Sequence, residues 1–229
     1  MKKQQLLLDI RPEQIPGLDN FVVGDNAELL AHLGSLTDSN TFDQIYLWGP
    51  PGSGRSHLLR GVLAQAQAKQ RPVAWVDAAV LDDALSAVPG SLIIVDDVEA
   101  LSAAAQITLF RTFNAARLAG LALLLAGAEP PLRLALREDL RTRIGATLVY
   151  EVKPLSERDK AAALSQHARE RGMNVDQALI DYLLRHGRRD LPSLLAVLDL
   201  LDLASLQQKR PLTLPLLREV LQESLELDY

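Results

Sequence analysis

The 229-residue chain has no cysteine, few aromatic residues and no long hydrophobic run. Without cysteine it can form neither disulfides nor thiolate metal sites, a composition typical of proteins that work in the cytosol. No apolar stretch is long enough to span a bilayer, and the one that follows the first five residues is too short for a secretory signal peptide. We therefore expect a cytoplasmic protein that does not enter a membrane.

An excess of positive charge is also lacking, because 24 Lys and Arg face 29 Asp and Glu, for a net charge of −5. A protein whose main task is to grip a nucleic-acid backbone is usually basic. Any contact with DNA is therefore expected to be indirect, through a partner. The 48% hydrophobic content, rich in Leu and Ala, indicates a helix-rich globular protein with a good core.

The most informative segment is Gly49-Pro50-Pro51-Gly52-Ser53-Gly54-Arg55-Ser56, which has the spacing of a phosphate-binding P-loop. An apolar run, Ile45–Trp48, precedes it and a helical pattern, His57–Lys69, follows, as the motif requires. Backbone N–H groups of such a loop face a phosphate, and Ser56 is placed to hold Mg²⁺. Arg55 stands where the motif has lysine, and its planar fork is no equivalent of a compact ammonium. We expect nucleotide binding without efficient hydrolysis; the alternative is a glycine-rich turn without a ligand.

A second motif, Leu92-Ile93-Ile94-Val95-Asp96-Asp97, is an apolar strand that ends in two acids. Behind a P-loop this is the pattern of a Walker B strand. Asp96 would then serve Mg²⁺ and Asp97 would orient an attacking water. The alternative is that the two acids only begin a turn.

The apolar runs predict a parallel α/β sheet flanked by helices, followed by a small all-helical domain. Helical patterns alternate with these runs, which are Ile45–Trp48, Val73–Val76, Leu92–Val95, Leu121–Ala126 and Thr147–Val152. After residue 153 only helical patterns occur, and Ser156 with Asp159 forms a capping box at their start. Asp25 is the expected N-cap of the first helix. We divide the chain into a flexible tail (1–16), a nucleotide-binding core (17–153) and a helical lid (154–229).

Together these motifs resemble the AAA+ family, and four segments resemble the DnaA-like branch of it. These segments are Leu18–Gly24 before the first helix, the acid pair Asp96-Asp97, Leu140–Gly145 at the arginine-finger region, and Leu212–Leu221 at the last lid helix. No helix-turn-helix DNA-binding domain follows in the sequence. The chain is in this respect similar to the family of regulatory inactivators of the replication initiator DnaA, which also carry arginine in the P-loop.

The resemblance implies that the chain binds ADP (or ATP) with Mg²⁺, the metal being held by Ser56 and Asp96. The implied nucleotide contacts are Val22, Val23, Gly49, Pro51, Gly52, Ser53, Gly54, Arg55, Ser56, His57, Asp96 and Asp97. It also implies that Arg143 is an arginine finger that acts in trans on ATP bound to DnaA. The alternative is that Arg133, Arg137, Arg141 and Arg143 line a solvated helix face, although Arg143 lies off the row of the other three.

Three positions depart from the family pattern. Arg55 replaces the P-loop lysine, Ala128 stands where the sensor-1 residue is polar, and Pro192 stands where sensor 2 is arginine. Arg188 or Arg189 could take the place of the sensor-2 residue. We therefore expect no effective ATPase activity from the chain alone.

The N-terminal segment Gln5-Leu6-Leu7-Leu8-Asp9-Ile10 resembles the peptide by which bacterial proteins dock on the replication sliding clamp. Gln5 would anchor one end, and Leu6, Leu8 and Ile10 would fill an apolar pocket. Such docking is reversible because an extended tail loses entropy when it orders. The alternative is that this segment packs as a strand on its own domain.

The function that these resemblances imply is negative regulation of replication initiation. The chain would dock on the sliding clamp, meet DNA through the clamp alone, and stimulate hydrolysis of the ATP bound to DnaA; it could also form homo-oligomers. The alternative is an active AAA+ ATPase of the helicase-loader or clamp-loader type. A third possibility is a degenerate nucleotide-binding module tethered to the clamp, which would not need Arg143.

Overall fold

The structure is a computed structural model that describes residues 16–79, 81 and 87–226. These residues form two compact units, one from Pro16 to Pro154 and one that begins at Leu155. The helices and strands of the first unit are, in chain order, α1 (Ala27–Leu36), β1 (Gln44–Trp48), α2 (Arg55–Ala68), β2 (Val73–Asp77), β3 (Leu92–Asp96), a 3₁₀ turn (Val98–Ala100), α3 (Ala103–Ala119), β4 (Ala122–Gly127), a second 3₁₀ turn (Pro131–Arg133), α4 (Glu138–Gly145) and β5 (Leu148–Glu151).

Within the described residues, the strands form one five-stranded sheet in the order β2-β3-β4-β1-β5. Each neighbouring pair is parallel, and the register sets Trp48 beside Gly127 and Val95 beside Leu125. The carboxyl ends of all strands therefore meet at one edge of the sheet, where open α/β sheets bind their ligands. The predicted fold, a parallel sheet flanked by helices with a separate helical domain, is confirmed.

Helices cover both faces of the sheet, which explains the continuous apolar strands. Ile45 and Leu47 pack with α1 and α2 on one face. On the other face, Tyr46, Ile93 and Val95 pack with α3 and α4. Because side chains of a strand alternate between faces, a strand buried on both sides must be apolar at every position.

The second unit contains α5 (Glu157–Glu170), α6 (Gln177–His186), α7 (Leu191–Gln208) and α8 (Leu214–Glu226). Leucine side chains from all four helices share one core. Ser156 caps α5 as predicted, because its Oγ accepts a hydrogen bond of 3.1 Å from the N–H of Asp159. The Asp159 carboxylate returns to the Ser156 hydroxyl, 2.6 Å away, and completes the capping interaction.

Two details of the sequence interpretation are wrong. The N-cap of α1 is Asn26 rather than Asp25. The arginines at 133, 137 and 141 do not form one helical row, because Arg133 ends the second 3₁₀ turn and Arg137 is the N-cap of α4. Arg133 forms an ion pair with Glu129, and Arg137 forms one with Asp139.

Asn26 is buried and serves a purpose other than capping. Its amide nitrogen donates to the carbonyl of Lys153 at 3.0 Å, and its amide oxygen accepts from the N–H of Lys153 at 2.9 Å. The side chain thereby imitates a neighbouring strand beyond the end of β5. No helix in the part of the chain described here is both long and apolar enough to cross a bilayer.

Candidate functional site

The P-loop connects β1 to α2, and glycines make its path possible. Gly52 and Gly54 have φ angles of +78° and +101°, a region that residues with a side chain rarely adopt. A Cβ atom on Gly49 would lie 2.8 Å from the carbonyl oxygen of Val152. One on Gly54 would lie 2.7 Å from the ring of Phe21. Val152 and Phe21 therefore pack closely against the loop, and its backbone leads into the N-terminus of α2.

Two side-chain atoms of this loop are buried without a hydrogen-bond partner in the described structure, the Oγ of Ser53 and the Nη1 of Arg55. Buried polar groups are normally paired, so unpaired donors in a glycine-rich loop indicate a ligand. A phosphate offers acceptor oxygens for both groups. The loop therefore fits the phosphates of a nucleotide.

The structure brings Ser56 and Asp96 together, although they are 40 positions apart. The Ser56 hydroxyl donates a 2.8 Å hydrogen bond to Oδ2 of Asp96. Ser56 lies in the first turn of α2, and Asp96 ends β3. Mg²⁺ takes oxygen ligands and is usually bound by one or two carboxylates together with phosphate oxygens. Ser56 and Asp96 could thus hold the Mg²⁺ that accompanies a nucleotide.

Asp97 follows in the left-handed region, with φ of +48°, and 70% of its side chain is exposed. Its Oδ1 lies 4.0 Å from Nη1 of Arg55, whose own side chain is largely buried. Partial burial and the neighbouring carboxylate of Asp96 raise the pKa of Asp97, and Arg55 partly offsets this effect. The P-loop arginine is therefore directed toward the second acid of β3.

The carboxyl end of β4 has a polar arrangement that sequence reasoning missed. Glu99, in the 3₁₀ turn after β3, accepts a short hydrogen bond from the backbone N–H of Ala128. Beside it, the Tyr46 hydroxyl donates to the carbonyl of Glu129 at 2.6 Å. Ala128 was predicted to stand at the sensor-1 position, and an acid of the same chain lies at its backbone amide. No sequence motif signals this contact, because it joins two loops 29 residues apart.

The segment before α1 contains the predicted contacts Val22 and Val23. Val22 is partly buried and Val23 is 42% exposed. His57 was also predicted to contact the nucleotide, and its Nε2 lies within hydrogen-bonding distance of the Gly17 carbonyl (3.0 Å) and of Asn20 Oδ1 (2.9 Å). His57 therefore links α2 to this segment.

Arg143 is exposed in the last turn of α4, and its guanidinium carbon lies 5.9 Å from the centre of the Phe110 ring. A guanidinium at this distance is attracted by the ring quadrupole. Both residues line an open concave surface with Arg137, Glu138, Asp139 and Thr142. None of these six residues belongs to the P-loop, so Arg143 is grouped apart from the nucleotide-site residues.

The remaining predicted residues fall in two places. Gln5, Leu6, Leu8 and Ile10, which were predicted to bind the sliding clamp, lie outside the described residues. Pro192 lies in the first turn of α7, where the missing N–H costs no hydrogen bond. Asp190 caps this helix by accepting from the N–H of Ser193 at 2.9 Å. Arg188 and Arg189, the possible substitutes for sensor 2, are exposed just before it.

A P-loop after the first strand, an acid pair after the third, this strand order and a helical C-terminal domain define the AAA+ class of P-loop proteins. Residues 157–221 match the family model described as the lid domain of Hda. The described fold also resembles solved DnaA structures. The C-terminal helices thus match a lid of the Hda type, and the fold is similar to that of DnaA.

Three solved structures illustrate the likeness. A DnaA initiator bound to AMPPCP and single-stranded DNA has 21% identity and a TM-score of 0.68, over 83% of this chain and 66% of that one. Domain III of Thermotoga maritima DnaA has 16% identity and a TM-score of 0.73, over 92% and 97% of the two chains. A Thermotoga maritima RuvB variant has 16% identity and a TM-score of 0.71, over 90% and 71%. The chain thus spans slightly less than two thirds of the DnaA bound to AMPPCP.

Proposed function

We propose that this chain is a DnaA-related regulator that acts in the cytoplasm and restrains replication initiation by stimulating hydrolysis of the ATP bound to DnaA. In this proposal Arg143 enters the partner's nucleotide site and supplies positive charge for that reaction. An arginine delivered in trans neutralises charge that develops on the transferring phosphoryl group, and such fingers are worth about 10³–10⁵ in rate. The reaction thus takes place in the partner and not in this chain.

The observation that carries the proposal is the position of Arg143. Arg143 is exposed, and its guanidinium lies near the ring of Phe110. Both residues line an open concave surface that includes no residue of the P-loop. A guanidinium with this exposure is available to another molecule. The lid match to Hda and the DnaA-like fold support DnaA as that molecule.

The chain's own nucleotide has a different role in this proposal. The unpaired Ser53 and Arg55 atoms and the Ser56–Asp96 pair suit ADP with Mg²⁺. A bound nucleotide stabilises the fold that displays Arg143, because it binds the folded state alone. Similar DnaA structures hold AMPPCP, which supports a nucleotide at this place in the fold.

The sliding clamp is the proposed docking partner for Gln5–Ile10. Support comes from the residue pattern: one glutamine followed by spaced apolar side chains in a short segment. Docking would hold the chain near DNA-bound DnaA without any direct contact between this acidic chain and DNA. Tethering of this kind raises the effective concentration of Arg143 at its target.

The test is hydrolysis of ATP preloaded on DnaA, in the presence of clamp loaded on DNA. Wild-type chain is compared with Arg143→Ala, Gln5→Ala and the control Arg133→Ala, which removes an exposed arginine paired with Glu129 at 3.7 Å. We expect stimulation by wild type and by the control, and its loss in the other two variants. Stimulation that survives Arg143→Ala contradicts the finger, and stimulation that survives Gln5→Ala contradicts the clamp tether.

An active AAA+ ATPase is the second candidate, and the intact Ser56–Asp96 pair favours it. Against it stand Arg55 in the P-loop, Ala128 at the end of β4, and Pro192 at the start of α7. The two candidates differ in one measurement, steady-state ATP turnover by the chain without DnaA. Turnover at the rate of a working AAA+ motor identifies an ATPase, and its absence together with stimulation of DnaA identifies a regulator.

A further inference from the structure

The carboxylate of Glu99 makes a close contact with the backbone at the end of β4. Oε1 of Glu99 accepts a hydrogen bond from the N–H of Ala128. A Cβ atom on the preceding Gly127 would lie 2.7 Å from that same oxygen and would also collide with the hydroxyl of Tyr46. The glycine at 127 is therefore what allows Glu99 and Tyr46 to approach the strand end.

The contact changes the chemistry of the site in two ways. The N–H of Ala128, at the carboxyl edge of the sheet, could donate to a phosphate oxygen, but Glu99 already occupies it. In place of a donor, the position now presents a carboxylate. Both changes oppose an additional anionic group at this edge, because a phosphate needs donors and positive charge.

Further acids reinforce this effect. Asp96 ends β3, Asp97 and Glu99 follow it within three positions, and Arg55 lies 4.0 Å from Asp97. Burial, and next to it Glu99, raises the pKa of the Tyr46 hydroxyl. The electrostatic influence of Glu99 therefore extends to Tyr46 of β1, the strand that leads into the P-loop.

In P-loop NTPases the loop cradles the second and third phosphates, and an acid of the Walker B strand holds the accompanying Mg²⁺. Glu99 follows that acid by three positions. We propose that Glu99 is a specificity-determining residue, which disfavours the third phosphate and makes the site select a nucleoside diphosphate over the triphosphate. This inference rests on the proposed nucleotide role of the P-loop, but it does not depend on the role of Arg143.

The experiment is calorimetric titration of the full chain, in Mg²⁺, with ADP and with the non-hydrolysable triphosphate AMPPCP. Three proteins are compared: wild type, Glu99→Gln and Glu129→Gln. Glutamine at 99 keeps an oxygen that can accept from the N–H of Ala128 but removes the charge. Glu129→Gln is the matched control, because it removes an acid two positions beyond Gly127 whose carboxylate is paired with Arg133 at 3.7 Å.

We expect wild type to bind ADP more tightly than AMPPCP. In Glu99→Gln the dissociation constant for AMPPCP divided by that for ADP should fall about tenfold. This is the effect expected when one charge several ångströms from a phosphate is removed. ADP affinity should change little, which shows that the site is intact. Glu129→Gln should keep the wild-type ratio.

The inference is overturned by an unchanged ratio in Glu99→Gln, or by an equal fall in both variants. Failure of wild type to bind either nucleotide also overturns it, and leaves the proposal for Arg143 to its own assay. Conversely, a lowered ratio in Glu99→Gln supports the inference even where the chain fails to stimulate DnaA.

Discussion

The guanidinium of Arg143 and the ring of Phe110 lie 5.9 Å apart and join α4 to α3. Phe110 is partly buried against the core of its sheet face, so the ring is a fixed support for a mobile side chain. This contact reduces the number of arginine rotamers that must be restricted when a partner binds. Phe110 is therefore a positioning residue for Arg143.

We predict that Phe110→Leu lowers the stimulation of DnaA-bound ATP hydrolysis several-fold, while Arg143→Ala removes it. Leucine keeps apolar packing but has no ring face for the cation, an interaction worth about 0.5–1 kcal/mol at an exposed site. The measurement is the rate at a series of chain concentrations. Full activity of Phe110→Leu at every concentration would show that the ring does not orient Arg143.

A second prediction concerns the Ser56–Asp96 pair. Asp96→Asn should weaken nucleotide binding in Mg²⁺, because the carboxylate that serves the metal becomes a neutral amide. Removal of Mg²⁺ with EDTA should weaken ADP binding by wild type more than it weakens ADP binding by Asp96→Asn. The check is the dissociation constant for ADP with and without Mg²⁺. Equal sensitivity of both proteins to EDTA would exclude Asp96 as a metal ligand.

A third prediction compares two neighbouring residues, Asn26 and Asp25. Asn26→Ala should lower the free energy of unfolding of the first unit by about 2 kcal/mol, because the N–H and C=O of Lys153 both lose their partner. Asp25→Ala should cost little, since Asp25 is exposed and does not cap α1. Urea unfolding followed by tryptophan fluorescence reports this unit, which contains Trp48 and Trp75. Equal losses of unfolding free energy in the two variants would contradict a stabilising role for the pairing of Asn26 with the backbone of Lys153.

A fourth prediction concerns pH and the cap of α7. Partial burial of Asp190 raises its pKa, but hydrogen bonds from Ser193 and the charge of Arg188 outweigh this and leave the pKa below its usual value. A carboxylate with a lowered pKa in the folded state stabilises the fold above its unfolded pKa, and this contribution is lost as pH falls through the folded pKa.

Asp190→Ala should therefore lower lid stability by about 1 kcal/mol at pH 7, the usual value of an N-cap. The difference from wild type should begin to shrink as the pH falls below roughly 4, the usual pKa of aspartate, and should shrink further as the pH falls through the lowered pKa of folded Asp190. Thermal melting followed by circular dichroism at pH 7 and pH 3 measures both values. A difference that stays constant between these two pH values would show that charge on Asp190 contributes nothing.

The sequence predicted the regular elements well, for an identifiable reason. β3 was expected at Leu92–Val95 and spans Leu92–Asp96, because a strand covered on both faces needs an uninterrupted apolar run. Ser156 was expected to cap α5 and does so, since a cap depends on residues three positions apart. The prediction that Arg133, Arg137 and Arg141 lie on one helix face was wrong, because Pro131 begins a separate 3₁₀ turn that interrupts the helical periodicity.

The amino-acid sequence by itself determined the α/β class, the P-loop and the acid pair after β3, because each depends on residue types at short spacing. Only the tertiary structure decided three other features: the pairing of Asn26 with Lys153, the contact of Glu99 with Ala128, and the burial of Arg71, whose guanidinium donates to the carbonyls of Leu36, Asp38, Thr41 and Gly90. In each of these a polar side chain satisfies backbone groups from a distant part of the chain. Any residue can supply such a backbone group, so the partner leaves no mark in the sequence, and only the packing of the chain brings the two together.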